Sequence, residues 1–329
     1  MNTLPETIVE LARGRFPGCG NVRVERLKKG GSDRHFFRVQ AGEGQSLIVV
    51  SYTGHREENR HYVDIGSFLA AAGVSVPAVY LHDADRGLIF MQDLGETDLW
   101  HWRNEPWAIR RPYYEATMEQ GLLLHGPATR NLAGSNLRLE REFSEQLYLW
   151  EQNYFFEHCL GALFKADPAT VQEFSALEGL ANAARRLAER PRTLVHRDFQ
   201  SQNVMIHLGR PFLIDFQGMR PGLPQYDLAS LLYDPYTMTS PRERRELIDH
   251  YVRMAPEHGV DTGSDFDEVL DLCAMQRLMQ ALGAYGFLGL KNSRTEFLAH
   301  VTPARRSLTE VLGRVEGVAP LTNFLANLA

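Results

Sequence analysis

The stretch of sequence that decides the fold is Leu194-Val-His-Arg-Asp-Phe-Gln-Ser-Gln-Asn-Val-Met205, followed closely by Phe212-Leu-Ile-Asp-Phe-Gln217. Asp198 and Asn203 lie five residues apart in a predicted loop between β-rich runs, and Asp215 ends the next apolar run. We therefore expect these three side chains at one edge of a small sheet. Transfer of a phosphoryl group from ATP needs oxygen ligands for Mg²⁺ and a carboxylate that accepts the proton of the attacking hydroxyl. The spacing predicts this chemistry.

The composition is that of an ordinary soluble globular protein. The chain has 329 residues, 44% hydrophobic and 23% charged, enough to build one large domain or two lobes. A formal net charge of −6 argues against a protein that neutralises nucleic-acid phosphates or an anionic membrane surface. The three cysteines lack CxxC spacing, and no apolar stretch approaches the roughly 20 residues of a membrane span. We expect a cytoplasmic protein without nucleic-acid or membrane partners.

The hydrophobic pattern divides the chain into a β-rich part and a helical part. It predicts a helix over 4–15, a three-stranded meander, a helix over 56–72 and two further strands, and mainly helical structure beyond about residue 110. The H-x-D-x-x-x-x-N loop followed by an apolar-Asp strand is close to the catalytic loops of the protein-kinase fold. We therefore predict an α+β, bilobal, protein-kinase-like fold. The expected lobes are an N-terminal nucleotide-binding lobe over 1–95, with a hinge at about 91–95, and a larger helical lobe over 96–329 that holds the catalytic loop and the acceptor site.

Three motifs carry a resemblance to a known family. They are His196-Arg-Asp198, the apolar-Asp-Phe strand at Asp215, and Tyr226-Asp-Leu-Ala-Ser-Leu-Leu232. Together they resemble the aminoglycoside phosphotransferase family, kinase-like enzymes that phosphorylate small molecules. A narrower resemblance is to the bacterial anomeric kinases that act on N-acetylmuramate and N-acetylglucosamine in cell-wall recycling. It rests on Gly30-Gly-Ser-Asp-Arg-His-Phe-Phe-Arg-Val39, Met91-Gln-Asp-Leu-Gly95, His196–Asn203 and Gln276-Arg-Leu-Met-Gln-Ala-Leu-Gly283.

The resemblance implies roles for five residues of the catalytic region. Asp198 would be the general base, and Asn203 and Asp215 would be the Mg²⁺ ligands. Asp227 would be a buried support that holds the catalytic loop by hydrogen bonds. His196 is expected to support the backbone of the loop rather than to transfer protons.

The resemblance also implies how ATP is held. Gly30, Gly31 and Ser32 match the phosphate-covering turn, where backbone N–H groups approach the phosphates because side chains are absent. By itself, a Gly-Gly-Ser hairpin is as typical of an ordinary turn as of a phosphate-binding turn. The segment from Gln92 to Leu94 matches the interlobe hinge, whose backbone would pair with adenine.

One departure from typical kinases concerns the third strand, which usually carries a lysine that pairs with the ATP phosphates. The corresponding run, Leu47-Ile-Val-Val-Ser-Tyr52, contains none, and the resemblance suggests that the sugar-kinase branch also tends to lack it. Arg34 is the candidate replacement, because a guanidinium can bind phosphate oxygens bidentately; the alternative is a surface arginine on a hairpin. Glu57 and Glu58 could occupy the position of the helix glutamate that pairs with the lysine.

Amides and an arginine are the candidates for binding the acceptor. A site that binds a polycationic aminoglycoside should be lined by several carboxylates. The helix at 274–283 instead offers Arg277 and Gln280 on one face, and the catalytic loop adds Gln200 and Gln202. This chemistry favours an N-acetylated aminosugar. The aromatic run from Tyr148 to Phe156 could stack on a sugar ring, but its helical spacing favours core packing.

Two rival functions remain open at this point. One is an aminoglycoside or amino-alcohol kinase on the same fold. The other is a catalytically silent nucleotide-binding regulatory protein, which the missing lysine favours. The sequence leaves open the acceptor and its hydroxyl, ATP versus GTP, and the oligomeric state.

Overall fold

The computed structural model of the chain describes residues 3–15, 22–27, 34–42, 44–53 and 57–328. The N-terminal part is an antiparallel sheet of five strands in the order β1-β2-β3-β5-β4. The predicted succession of three strands, a helix and two strands is confirmed. The elements are α1 (Leu4–Arg15), β1 (Val22–Leu27), β2 (His35–Ala41), β3 (Gln45–Ser51), a 3₁₀ turn (Glu57–His61), α2 (Tyr62–Ala71), β4 (Val79–Asp83) and β5 (Leu88–Gln92).

Both faces of this sheet are covered, because side chains along a strand alternate between the faces. Phe37 and Val39 of β2 pack with Ile8 and Ala12 of α1 in one cluster of buried apolar residues. On the opposite face, Val50, Ile89 and Met91 belong to a larger cluster that includes Ile65 and Leu69 of α2 and continues into the helical part. The sheet is therefore held between α1 and α2.

Helices make up most of the remaining chain, and α10 is at its centre. This 21-residue helix is buried on almost all sides and packs against α5, α8 and α11. Gly283 and Gly286 allow the segment around Tyr154 and His158 to pack closely against α10. A Cβ on Gly286 would lie 2.1 Å from the carbonyl oxygen of His158. The helices are α3 (Trp107–Leu123), α4 (Thr129–Leu132), α5 (Glu145–Phe155), α6 (Pro168–Ser175), α7 (Glu178–Ala188), α8 (Pro224–Leu232), α9 (Pro241–Met254), α10 (Phe266–Gly286), α11 (Val301–Leu312) and α12 (Ala319–Asn327).

Four short strands in the helical part position the predicted catalytic loop. They are β6 (Thr193–Val195), β7 (Val204–His207), β8 (Arg210–Leu213) and β9 (Arg220–Gly222). The prediction of one small sheet is wrong: β7 pairs with β8, whereas β6 pairs with β9, a strand that the sequence analysis did not anticipate. The reason is that Arg220-Pro-Gly222 has little strand propensity of its own and is extended by its pairing with β6.

Two further observations concern predictions made from composition. Within the described residues, no helix is long and apolar enough to cross a membrane. Cys159 and Cys273 are free, buried thiols, and Cys19 lies outside the described residues, as do Gly30, Gly31 and Ser32.

Candidate active site

The loop between β6 and β7 is folded around the backbone of Asp198. The backbone N–H of Gln200 and the side-chain Nδ2 of Asn203 both donate to the carbonyl oxygen of Asp198, each at 2.9 Å. The N–H of Asn203 donates to the carbonyl of Gln200, also at 2.9 Å. The Asp198 side chain is 34% exposed. Its carboxylate is therefore accessible to a substrate while its backbone is held in place.

Two arginines set the charge state of Asp198. Arg277 Nη2 lies 3.3 Å from Asp198 Oδ1, and Arg197 Nη1 lies 3.8 Å from Oδ2. Burial acts to raise the pKa of Asp198, but the positive charges of Arg197 and Arg277 outweigh burial and lower it. Asp198 is consequently ionised at neutral pH, as an acceptor of a hydroxyl proton must be.

Asp227, on α8, anchors the start of the loop. Its carboxylate is completely buried and accepts hydrogen bonds from the backbone N–H groups of His196 at 2.7 Å and Arg197 at 2.8 Å. It also accepts from Nε2 of His125 at 3.1 Å, and the other ring nitrogen of His125 accepts from the hydroxyl of Tyr251 at 2.8 Å. Arg197 has a φ of +76°, a conformation that L-residues rarely adopt and that these bonds hold.

His125 is a residue that the sequence analysis missed. It lies in the π-helical segment that continues α3, Leu124–Ala128, and it is 2% exposed. The signal available in the sequence is a lone histidine directly after the apolar run Leu122–Leu124. Such a histidine is most often a core residue without a role in the site. Only its contact with Asp227 shows that His125 supports the catalytic loop.

Asn203 and Asp215 approach each other where the two loops meet. The N–H of Ile214 donates to the carbonyl of Asn203 at 3.0 Å, and His196 Nε2 donates to the carbonyl of Ile214 at 3.0 Å. Asp215 follows with a φ of +63° and accepts from Nε2 of Gln217 at 2.9 Å. Because Nδ2 of Asn203 is used by Asp198, its amide oxygen is left as a ligand. One amide and one carboxylate oxygen fit Mg²⁺, which takes few protein ligands together with substrate phosphates.

Arg34 reaches the same point from the N-terminal part. It precedes β2, and its guanidinium donates to Asp215 in an ion pair. Next to this pair, the ring of Tyr62 in α2 stacks on Phe216, with ring centroids 4.6 Å apart. The structure therefore places an arginine opposite Asp215 while β3 carries no lysine. Side chains of Glu57 and Glu58 lie outside the described residues.

The predicted hinge is tied to both parts of the chain. The N–H of Gln92 donates to Ala78 at 2.8 Å, and the carbonyl of Leu94 accepts from Nδ1 of His207 in β7 at 3.1 Å. Between them, Asp93 is bound by Arg38 of β2 at 2.8 Å. Gln92 and Leu94 thus lie on a segment that follows β5 and contacts β2 and β7.

Three of the four predicted acceptor residues are brought together beside Asp198. Arg277 donates to Gln200 Oε1 at 3.2 Å, to the amide oxygen of Gln280, and through Nε to Ser230 Oγ at 2.9 Å. Arg277 is 9% exposed, and its ion pair with Asp198 is therefore largely shielded from water. Gln202 is half-buried in the 3₁₀ turn Ser201–Asn203 and makes no side-chain hydrogen bond with any residue that the structure describes.

The aromatic run is mostly core, as its spacing predicts. Tyr148, Phe155 and Phe156 are buried in the main apolar cluster. Trp150 is the exception: it is 52% exposed and stacks on Tyr154, with ring centroids 5.0 Å apart.

The chain is similar to proteins of known activity. A sequence profile of the phosphotransferase enzyme family matches residues 23–260. The N-acetylmuramate/N-acetylglucosamine kinase of Pseudomonas aeruginosa is 26% identical over 325 residues, which cover 94% of this chain and 91% of that protein. The protein of the same name from Pseudomonas putida is 28% identical over 320 residues, covering 94% and 90%. The fold is similar to that of the ADP-bound aminoglycoside phosphotransferase APH(2'')-Ib, with a TM-score of 0.58, 15% identity, and coverage of 94% of this chain and 99% of that one.

Proposed function

This chain belongs to the phosphotransferase enzyme family and is a small-molecule kinase, and we propose that it phosphorylates the anomeric hydroxyl of N-acetylmuramate and N-acetylglucosamine. The activity for which the two Pseudomonas relatives are named, each of them aligned with 94% of this chain, supports the choice of acceptor. The structural observation that carries the proposal is the group of Arg277, Gln200 and Gln280 beside Asp198. Its amides can bind hydroxyl and acetamido groups, and its charge is positive.

In the proposed reaction Asp198 is the general base. Its ionised carboxylate would accept the proton of the sugar hydroxyl as that oxygen attacks the γ-phosphorus of ATP, while Arg277 holds the carboxylate in position. Asn203 and Asp215 would hold Mg²⁺, which when bound neutralises charge on the phosphates. Arg34 would bind phosphate oxygens. At the hinge, Gln92 and Leu94 would offer backbone groups to adenine. The Leu94 carbonyl is occupied by His207, so the backbone group that Leu94 would offer is its N–H.

The charges around Asp198 argue against a polycationic acceptor. Arg197, Arg220 and Arg277 all act on Asp198. Glu151 is one of three buried acids of this region, with Asp227 and Asp234. Burial raises the pKa of Glu151 to about 7, so it carries only part of a negative charge at neutral pH. A substrate with several ammonium groups would be repelled here, whereas a neutral or anionic sugar would not.

An acceptor panel tests the proposal. With ATP and Mg²⁺, we expect turnover of N-acetylmuramate and N-acetylglucosamine, measured by ADP release, and a product whose phosphate ³¹P NMR assigns to the anomeric oxygen. Kanamycin, choline and ethanolamine should be at least about 100-fold poorer by kcat/KM, a difference of about 2.7 kcal/mol. Efficient turnover of kanamycin or choline in place of the sugars would overturn the proposal. Absence of ATP consumption with every compound would instead favour a silent nucleotide-binding protein.

Arg34 provides a test of how the phosphates are held. We expect Arg34→Met to raise KM for ATP about tenfold or more, because a charge-assisted contact to phosphate contributes roughly 1.5–3 kcal/mol. Arg34→Lys should recover part of the loss, since lysine keeps the charge but not the planar fork.

The matched control for this experiment is Arg23→Met. Arg23 is an exposed arginine on β1 of the same sheet, and its substitution should leave KM for ATP within about twofold. Equal effects of the Arg34 and Arg23 substitutions would show that Arg34 contributes only general charge.

A further inference from the structure

Arg220 is a buried cation with no counter-ion among the residues that the structure describes. It lies on β9, opposite Val195 of β6, and is 9% exposed. Its guanidinium lies over the ring of Phe143, 5.3 Å from the centroid. Its Nε has no hydrogen-bond partner, and the guanidinium forms no ion pair with any residue that the structure describes. Buried arginines are normally paired, because removing an unpaired charge from water is costly. The unpaired guanidinium of Arg220 is therefore a candidate for binding an anion.

Arg220 lies close to the loop that carries the predicted catalytic base, because β9 places it opposite Val195, three residues before Asp198. Arg220 is one of the cations that lower the pKa of Asp198. Burial, and then the like charge of Arg197, lower the pKa of Arg220 itself. The charges of Arg197 and Arg220 thus repel each other, and an anion bound by both would offset the repulsion and the cost of burying Arg220.

The acids around Arg220 do not neutralise it. Glu151 accepts a hydrogen bond from the hydroxyl of Tyr226 at 2.8 Å, and its second oxygen is buried without a partner. Glu140, whose charge also acts on Arg220, is half-buried and does not form an ion pair with it. Asp198 also acts on Arg220, but its ion pairs are with Arg277 and Arg197. Among the residues that the structure describes, no acid therefore neutralises Arg220 by direct contact.

We propose that Arg220, together with Arg197, forms an anion subsite that binds the carboxylate of an acidic acceptor sugar. The inference rests on the proposed function, whose two acceptors differ in this respect: N-acetylmuramate carries a lactyl ether with a carboxylate, and N-acetylglucosamine has a free hydroxyl in its place. Arg220 would therefore determine the preference between them, while Asp198, Arg277 and Gln200 would serve both.

The test compares kcat/KM for the two sugars in the full-length protein. Arg220→Gln is expected to lower the ratio of N-acetylmuramate to N-acetylglucosamine about 30-fold, mainly through KM, because a buried hydrogen bond to a charged group is lost. Arg220→Lys should retain most of the ratio. The methyl ester of N-acetylmuramate, which has no negative charge, should respond to Arg220→Gln as weakly as N-acetylglucosamine does.

The control and the contrary outcomes separate this inference from the proposed function. Arg242→Gln removes the same charge from a side chain that is 88% exposed, and it should leave the ratio within about twofold. If Arg220→Gln lowered kcat/KM equally for both sugars, the proposed subsite would be wrong, and Arg220 would instead stabilise the β6–β9 pair. If the wild-type protein phosphorylates neither sugar, the proposed function fails. In that case calorimetry tests the subsite. Binding of N-acetylmuramate that is tighter than that of N-acetylglucosamine, with the difference abolished by Arg220→Gln, would support the subsite. Equal binding of the two sugars, or no detectable binding, would overturn it.

Discussion

Asp198→Asn is expected to lower kcat about 1,000-fold with every acceptor, while the Kd for ATP stays within about threefold. Asparagine has nearly the same shape, so the loop bonds to the backbone carbonyl of residue 198 are kept. What is lost is the charged oxygen that accepts the hydroxyl proton, and with it the partner of Arg197 and Arg277. Initial rates and nucleotide titration calorimetry on the same preparations measure the two quantities.

A surface carboxylate provides the control for this experiment. Asp249, on α9, has a side chain that is 62% exposed, and Asp249→Asn should leave kcat within about twofold. If Asp198→Asn kept kcat within about tenfold of the wild type, a barrier change of only about 1.4 kcal/mol, Asp198 would not be the base.

Asp227→Asn is expected to lower the free energy of unfolding by about 3 kcal/mol and to reduce kcat as well. The carboxylate of Asp227 accepts two backbone N–H bonds and one from His125 in a completely buried position. An amide at this place has only one accepting oxygen, and its NH₂ group faces groups that are themselves donors. At least one buried donor is then left without a partner, and the loop that carries Asp198 loses its anchor. The shift of the urea unfolding midpoint and the kcat of the folded protein are the measurements.

The stability effect has its own comparison. Asp261 also accepts a backbone N–H bond, from Gly263 at 2.9 Å, but it does so on the surface, so Asp261→Asn should cost less than about 0.5 kcal/mol. A loss of comparable size at both positions would mean that burial at Asp227 contributes nothing. Full activity in a folded Asp227→Asn protein would mean that the loop does not depend on this anchor.

Much of the fold follows from local pattern. The bounds of α1 in the structure are those that the sequence predicts, and the predicted three-stranded meander follows it, because amphipathic spacing and period-two alternation are properties of neighbouring residues. The strand predicted to lead directly into Asp215 instead ends at Leu213 and runs over Arg210–Leu213, and β9 was missed. Both errors concern strands of three or four residues, whose extension depends on pairing rather than on composition.

The candidate site divides in the same way. The spacing of Asp198, Asn203 and Asp215 identified residues that the structure brings to adjoining loops. Arg277 was predicted to bind the acceptor because of its residue type, but its contact with Asp198, 79 residues away, was not predicted. His125 and Arg220 escaped the sequence analysis, because a core histidine and an arginine before a proline carry no local signal of what lies next to them.

The amino-acid sequence by itself determined the order of the elements and the chemical groups available for phosphoryl transfer, since strand periodicity, loop length and motif spacing are set by residues close together in the chain. Only the tertiary structure decided which groups face each other. Arg34 meets Asp215 across 181 residues, and Asp227 anchors a loop about 30 residues before it. Arg220 is buried with no ion pair to any residue that the structure describes. Such contacts arise from the packing of separate elements, and the electrostatic consequence of burial exists only once that packing has excluded water.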